Sequence, residues 1–281
     1  MSDRITVVVA TQNRREELLR SLPRHEAPVV LIDNGSTDGT PQAVREQLPH
    51  VQVVEVGRNL GATARTVGAR RASTPYVAFA DDDSWWAPGC LERAADLLDA
   101  HPRLGLLTAR ILIGPDERPD PVSEQMGDDV LGPREDLPGP AVLGFLACAA
   151  TVRRDAYLGA GGFDDVIFFY GEEQKLALDL AVAGWGLAYV PDLIVHHHPS
   201  PARDPLARRR LAVRNDVLTA LMRRPWPVVA RQVARSLRTD RSVAAGVLDA
   251  LPRAPRALAR RRRVPDWLES QVRRLETADA G

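Results

Sequence analysis

Short runs of apolar, mostly β-branched residues are separated by longer mixed segments over the first 80 residues. The runs are Ile5–Ala10, Val29–Ile32, Val51–Val56 and Tyr76–Ala80. Ile5–Ala10, Val29–Ile32 and Tyr76–Ala80 are almost continuously apolar, which is typical of a strand buried on both faces of a parallel sheet, whereas Val51–Val56 includes the polar residues Gln52 and Glu55. The segments between the runs have helical spacing. The pattern therefore predicts a β-α-β-α-β-α-β order, with helices on both faces of a mostly parallel sheet.

The alternation continues less regularly to about residue 200. A helical segment over 89–100 precedes a predicted strand at 104–113, and two short strands are predicted at 187–190 and 193–195. Between them, residues 114–140 are rich in Pro, Gly and Asp, which predicts a long excursion over one side of the sheet.

From residue 203 onward the apolar positions follow the spacing of amphipathic helices, predicted at 203–224, 226–251 and 265–275. We therefore predict an α/β domain over residues 1–202, followed by a helical extension over 203–281. The net charge of zero is divided unequally between these parts, since the extension holds 19 Arg and only 8 Asp or Glu. An acidic body with a basic extension indicates two separate tasks.

The basic extension has two interpretations. Its helices can pack on the α/β domain with a solvated basic face, or they can lie on an anionic membrane surface, as Arg-rich helices edged by Trp do. No nucleic-acid reader motif or aromatic platform is present, so no nucleic-acid partner is predicted. Two cysteines, no run near the ~18–20 apolar residues of a membrane span and no leader-like start favour a cytoplasmic protein, with or without peripheral contact at the inner face of the cell membrane.

Three carboxylates, Asp81-Asp82-Asp83, directly follow the Tyr76 strand. Ligands of open α/β sheets bind beyond the carboxyl ends of the strands, and adjacent carboxylates raise one another's pKa unless a cation lies between them. Residues two apart in an extended segment point the same way, so Asp81 and Asp83 can address one site. The triplet by itself is compatible with a metal site or with an acidic turn that caps the next helix.

Two common nucleotide-binding patterns are missing. No Gly-x-Gly-x-x-Gly follows the first strand and no Gly-Lys-Ser/Thr loop exists, so neither a dinucleotide fold nor a P-loop is predicted. A nucleotidyltransferase remains an alternative, although such a protein usually has a glycine-rich basic loop after its first strand, and Thr11–Arg15 contains no glycine.

Four segments together resemble the family 2 glycosyltransferases, which have the GT-A fold. They are Val-Val-Ala-Thr-Gln-Asn-Arg at 8–14, Val-Leu-Ile-Asp-Asn-Gly-Ser-Thr-Asp-Gly-Thr at 30–40, Arg-Asn-Leu-Gly at 58–61 and Phe-Ala-Asp-Asp-Asp at 79–83. The resemblance implies a GT-A fold, a nucleotide-diphosphate sugar donor, Mg²⁺ or Mn²⁺, and inverting transfer to an acceptor hydroxyl. The acceptor class stays open between a glycan, a lipid-linked molecule and a small natural product.

The resemblance also implies roles for individual residues. Thr11 and Asn13 would lie against the nucleotide, and Asp33 would accept a hydrogen bond from the base. Asn59, Gly61 and Arg65 would line the ribose and diphosphate. Asp81 and Asp83 would be the Asp-x-Asp metal pair, whose oxygen ligands suit Mg²⁺ or Mn²⁺.

The expected catalytic base lies further along the chain, after a second family marker, Gly-Gly-Phe-Asp at 161–164. Relatives commonly have Gly-Glu-Asp-x-Asp-Leu, whereas this chain has Gly-Glu-Glu-Gln-Lys-Leu at 171–176. Glu173 stands where the base is expected, Glu172 is the substitute, and Lys175 replaces the second Asp. The departures leave two alternatives open: a helix start whose acids face the macrodipole, and a degenerate sugar-nucleotide-binding or membrane scaffold protein without activity.

Three histidines, His196-His197-His198, end the last predicted strand. Alternation would place His196 and His198 on one side, and the resemblance implies that His198 completes the metal or diphosphate site; a polar strand end is the alternative. No cysteine or second histidine cluster supports a structural zinc site. Arg214-Asn215 is similar to an Arg-Asn pair of bacterial rhamnosyltransferase-like members, which implies a deoxysugar such as rhamnose.

Overall fold

The computed structural model describes residues 3–199 and 204–278. Its strands form one nine-stranded sheet. They are β1 (Ile5–Thr11), β2 (Val29–Asp33), β3 (Gln52–Glu55), β4 (Tyr76–Ala80), β5 (Ser84–Trp86), β6 (Leu104–Ile113), β7 (Arg118–Pro119), β8 (Ala150–Arg153) and β9 (Gly186–His197).

Helices cover both faces of the sheet and continue beyond it. They are α1 (Arg15–Ser21), α2 (Thr40–Gln47), α3 (Thr63–Arg71), α4 (Cys90–Ala100), α5 (Pro121–Gln125), α6 (Arg154–Gly159), α7 (Glu172–Val182), α8 (Pro205–Arg223), α9 (Trp226–Leu237), α10 (Arg241–Ala250), α11 (Ala254–Ala259) and α12 (Asp266–Ala278).

The first four predicted strands form a parallel sheet, as expected. The strand order is β3-β2-β1-β4, and every neighbouring pair in it is parallel. Successive residues of β1 enter different cores, with Val7 and Val9 on one face and Val8 on the other. Side chains on both faces of β1 are buried, which explains why its run of residues is almost continuously apolar.

Beyond β4 the sheet is mixed. The order continues β8-β6-β9-β5, where β8 runs antiparallel to both neighbours and β5 antiparallel to β9. The two short strands predicted at 187–190 and 193–195 are one strand, β9, with a register shift between Val190 and Ile194. Strand β5 was not predicted, and it pairs the segment after the acidic turn with the histidines at the end of β9.

The helices of the extension pack against the α/β domain through a third apolar core. This core joins Val166 and Ile167, which precede α7, to Leu218 and Met222 of α8 and to Ala257 of α11. The helix predicted over 226–251 is two helices, because Asp240 interrupts it and caps α10 by accepting from the Val243 N–H. The predicted boundary between the α/β domain and the extension, between residues 202 and 203, lies outside the described residues.

None of the described helices combines the length and the apolarity that crossing a membrane requires.

Candidate active site

The acidic turn and the end of β9 form one cluster at the carboxyl edge of the parallel strands. A carboxylate oxygen of Asp81, one of Asp83 and a ring nitrogen of His197 lie within 4.8 Å of one another. The Nε2 of His197 is 3.2 Å from an oxygen of Asp83. The two carboxylates are hard oxygen ligands of the kind that Mg²⁺ and Mn²⁺ prefer, and imidazole is a common metal ligand, so the three residues fit a divalent cation.

His197, and not the expected His198, lies in this cluster. The predicted alternation itself holds, since the rings of His196 and His198 both contact Trp85, at 5.4 and 4.7 Å between centroids. The pairing of β9 with β5 places this face against Trp85, and His198 lines a small cavity together with Trp85 and Asp83. His198 is also joined to the acidic turn by its backbone, through the bond from its N–H to the Asp83 carbonyl.

Asp82 points away from the pair, towards the end of β1. It accepts from the Thr11 hydroxyl at 3.1 Å and from the Arg14 guanidinium at 3.3 Å. Burial, with the charges of Asp83 and Asp81, raises the pKa of Asp82 to about 7. Thr11 thus lies at the acidic turn as well as at the expected nucleotide edge.

The loop after β2 is organised by side chains that bond to backbone. One oxygen of Asp33 accepts from the N–H groups of Gly35 and Ser36, while its other oxygen is buried without a partner. Asn13, at φ 55°, accepts from the Thr37 N–H and so joins the β1 loop to this one. A buried carboxylate oxygen without a donor is costly unless a ligand supplies one.

The Arg-Asn-Leu-Gly turn lies beside these loops. The amide of Asn59 donates to Gln12 at 2.7 Å and its oxygen accepts from the Gly61 N–H. Gly61 has φ 59°, and a Cβ there would lie 2.2 Å from the Phe168 carbonyl oxygen. Only glycine fits this position, because the loop that precedes α7 lies directly against it. Asn34, which sequence reasoning did not assign, accepts from the Leu60 N–H and holds the turn in place.

Arg65 joins the acidic turn to α7. Its guanidinium donates to Asp81 at 2.5 Å and to Glu172 at 3.5 Å, and the side chain is buried. Burial opposes the charge of Arg65, but these carboxylates outweigh it and raise its pKa. The expected diphosphate-side arginine therefore reaches both the predicted metal pair and the start of α7.

The two glutamates that begin α7 have different surroundings. Glu172 is 3% exposed and faces Arg65, whereas Glu173 lines an open cavity of about 420 Å³ and accepts from the Ala147 N–H at 3.4 Å. Burial raises the pKa of both carboxyls. Glu173 is therefore the glutamate that a molecule in the cavity can reach.

The cavity beside Glu173, called the acceptor cavity below, lies between the excursion, α7 and α12. Its wall is largely apolar and includes Met126, Val130, Val142, Phe145, Leu178 and Leu275. The excursion over 114–140 thus lies on the side of Glu173. A concave, mostly apolar site with a few carboxylates is typical of a small-molecule binding site.

Lys175, the second departure from the family pattern, does not enter the acceptor cavity. Its ammonium is buried between Asp164, at 3.2 Å, and Asp179, at 2.8 Å. Asp179 also takes a two-pronged bond from Arg223 of α8, and Asp164 pairs with Arg260. Lys175 therefore ties the Gly-Gly-Phe-Asp turn and the extension to α7.

The turn over 168–171 that leads into α7 is strained and is held by the extension. Phe168 and Tyr170 have φ of 74° and 71°, which side-chain-bearing residues rarely adopt. The fully buried amide of Asn215 donates to the Phe169 carbonyl at 2.7 Å and to the Tyr170 carbonyl at 2.5 Å. Arg214 donates to the Asn215 oxygen and so fixes the orientation of the amide.

Replacing Asn215 by alanine is expected to lower the free energy of unfolding by about 1–2 kcal/mol, because the carbonyls of Phe169 and Tyr170 lose the donor that holds the turn. The turn would relax and displace Glu173. We therefore expect a large fall in kcat and a smaller change in the KM for the donor. Thr151→Val is the matched control, since the buried Thr151 hydroxyl on β8 has no hydrogen bond among the described residues. Thermal unfolding and steady-state kinetics check this, and a destabilised variant with full kcat would contradict the role of Asn215.

Comparison with protein families shows which family the chain belongs to. The model of glycosyl transferase family 2 matches residues 6–158. The chain belongs to glycosyl transferase family 2. The match includes the acidic turn and the loops that follow β1, β2 and β3, but it ends before α7. The resemblance seen in the sequence is confirmed, and so is the enzyme class.

Curated relatives of this family 2 glycosyltransferase come from Mycobacterium tuberculosis. An N-acetylglucosaminyl-diphospho-decaprenol L-rhamnosyltransferase is 35% identical over 246 residues, covering 73% of this chain and 80% of the relative. A pre-mycofactocin glycosyltransferase is 30% identical over 217 residues, covering 73% of this chain and 45% of the relative. The likeness to rhamnosyltransferase-like members is thereby confirmed.

Solved structures confirm the GT-A fold. A mannosyltransferase from Pyrobaculum calidifontis in complex with GDP-Man and Mn²⁺ aligns with a TM-score of 0.59 at 23% identity, covering 91% of this chain and 74% of the other. S. aureus TarS in complex with UDP-GlcNAc aligns with a TM-score of 0.61 at 17% identity, covering 91% and 81%. At these identities the likeness concerns the fold alone.

Proposed function

We propose that the chain is a metal-dependent, inverting glycosyltransferase, which moves a sugar from a nucleotide-diphosphate donor to an acceptor hydroxyl by direct displacement. The observation that carries the proposal is the position of Arg65. This buried residue contacts Asp81 of the predicted metal pair and Glu172, the neighbour of the predicted base. Arg65 thus connects the carboxyl edge of the parallel strands, where the donor would lie, with the acceptor cavity, and we treat the two as one site.

The donor would lie along the carboxyl edge of the parallel strands. The partnerless oxygen of Asp33 supports an N–H donor from the base at this position. Thr11, Asn13, Asn59 and Gly61 shape the loops around it, and Arg65 and Asp81 lie towards the diphosphate. The donors named for solved relatives, GDP-Man and UDP-GlcNAc, belong to this chemical class. The Arg-Asn pair and the rhamnosyltransferase relative favour a deoxysugar such as rhamnose.

Asp81, Asp83 and His197 would hold the cation. When bound, Mg²⁺ or Mn²⁺ stabilises the charge of a leaving diphosphate. Arg65 is placed to keep the Asp81 carboxylate oriented, and Arg14 does the same for Asp83 at 3.3 Å.

Glu173 would accept the proton of the acceptor hydroxyl as that oxygen attacks the anomeric carbon opposite the diphosphate. A single carboxylate suffices, because direct displacement needs no protein nucleophile. Glu172 instead accepts a hydrogen bond from the buried guanidinium of Arg65. The raised pKa of Glu173 favours this role, since a more basic carboxylate takes up a proton more readily.

We also propose peripheral membrane contact through the extension. Among the described residues of the extension, seven large apolar side chains are exposed: Leu206, Trp226, Leu237, Leu248, Leu251, Leu258 and Trp267. They lie on or between helices of a basic extension, a combination that suits an anionic bilayer surface. A cytoplasmic location at the inner face of the membrane would follow.

A thermal-shift screen of nucleoside diphosphates, with and without Mn²⁺, tests the proposal, because a ligand of the folded state raises the unfolding temperature. We expect one nucleoside diphosphate to stabilise the chain more strongly with Mn²⁺. Release of nucleoside diphosphate from the matching sugar nucleotide then separates an enzyme from a scaffold. Binding without turnover, across a panel of acceptors, would contradict the activity.

A further inference from the structure

A second cavity adjoins the acceptor cavity. It has a volume of about 520 Å³ and lies between α8, α9 and α12. Gln174, Asp216 and Glu276 line both cavities. Gln174 follows Glu173 in the chain, so a molecule whose hydroxyl lies at Glu173 can extend past Gln174 into the second cavity.

The two cavities differ in charge. The acceptor cavity is lined by Asp128, Asp129, Glu173, Asp216 and Glu276, and by no lysine or arginine among the described residues. The second cavity has four arginines, Arg224, Arg231, Arg235 and Arg273, beside the two shared acids. An anionic group is therefore repelled from the first cavity and attracted to the second.

Two of the four arginines are available to a ligand. Arg224 is paired with Glu269 and Glu276, and Arg273 with Glu269. Arg231 and Arg235 stand one turn apart on α9, and neither forms a side-chain hydrogen bond or ion pair within residues 3–199 and 204–278. A pair of guanidinium groups matches the oxygens of a phosphate in charge and geometry.

We propose that this arginine-lined cavity binds a phosphate group of the acceptor. The acceptor is then a sugar phosphate or diphosphate ester, with its reacting hydroxyl at Glu173 and its phosphate at Arg231 and Arg235. The inference rests on the proposed function, because it takes the cavity beside Glu173 as the place of the acceptor sugar.

Calorimetric titration of the full chain with inorganic pyrophosphate tests the site, in EDTA and without sugar nucleotide. We expect Arg231→Gln combined with Arg235→Gln to weaken binding at least about tenfold, as expected for lost hydrogen bonds to a charged group. The double lysine variant should retain most of the affinity. Arg238→Gln combined with Arg241→Gln removes the same charge outside the cavity and should change binding less than about twofold.

Absence of pyrophosphate binding in the wild type, or equal losses in the two glutamine pairs, would overturn the proposal. Sedimentation with phosphatidylglycerol vesicles separates an acceptor phosphate from a lipid headgroup. We expect both glutamine pairs to sediment alike, and a loss confined to the Arg231 and Arg235 variant would assign these arginines to a membrane surface instead.

The titration is independent of transferase chemistry. A chain that binds pyrophosphate through Arg231 and Arg235 but never releases nucleoside diphosphate fails the proposed function alone. A chain that turns over its donor but shows no pyrophosphate binding at these residues fails this inference alone.

Discussion

Asp83→Asn is expected to lower donor turnover by a factor of about 10²–10⁴, because a cation that stabilises the leaving diphosphate contributes several kcal/mol to the transition state. Asp83 is buried, and it contributes a ligand atom to the cluster with Asp81 and His197. The amide keeps the size of the side chain but loses the charge that attracts the cation. Release of nucleoside diphosphate, measured at several Mn²⁺ concentrations, checks this expectation.

Asp155→Asn is the matched control for this change. The Asp155 side chain is 92% exposed and lies on α6, away from the cluster, so its turnover should equal that of the wild type. His197→Ala should need a higher Mn²⁺ concentration than the wild type for half-maximal turnover, because its ring lies with the two carboxylates. His198→Ala should need no more Mn²⁺ than the wild type. Full turnover of Asp83→Asn, or of the wild type in EDTA, would refute a metal site here.

Glu173→Gln should reduce the rate of sugar transfer by about 10²–10⁴ while donor binding is kept, because glutamine fills the same space but cannot take up a proton. The base acts when deprotonated, so kcat of the wild type should fall as the pH is lowered through the pKa of Glu173. Burial raises that pKa, which places this acid limb above the ~4.3 of a free glutamate. A pH profile of kcat measures it, and the limb should be absent from the residual activity of the variant.

Glu172→Gln is the informative comparison for the base. Glu172 is buried against Arg65, so its loss should lower the unfolding temperature and disturb transfer indirectly through the position of Arg65. We expect its transfer rate to exceed that of Glu173→Gln. If Glu172→Gln removes the acid limb and Glu173→Gln leaves it in place, the two roles must be exchanged.

The edge at which Asp33 and Asp81 lie could be predicted from the sequence, because parallel strands end at a common edge. Asp33 is the last residue of β2, and Asp81 directly follows β4. The topology therefore places both residues at this edge. Which of the three histidines lies beside Asp81 and Asp83 could not be predicted in this way. It depends on the unpredicted strand β5 and on the register shift in β9, and a shift of one residue exchanges the faces of a strand.

Lys175 shows a second limit of sequence reasoning. Its place in the motif, where relatives commonly have a second Asp, left a degenerate site open as an alternative. Its partners Asp164 and Asp179, and the arginines that join them, are identified only when α7, α8 and α11 are packed together. The role of Asn215 is hidden for the same reason, because its bonds reach back 46 and 45 residues along the chain.

The ion pairs around Lys175 make the extension unsuitable for removal in the laboratory. A truncated protein ending before α8 would lack Arg223, so Asp179 would keep Lys175 but lose its two-pronged partner. The apolar surface at Val166 and Ile167 would face water, which favours aggregation. Crystallisation and screening of this glycosyltransferase should therefore begin from a chain that retains α8 to α12, even though the family match ends at residue 158.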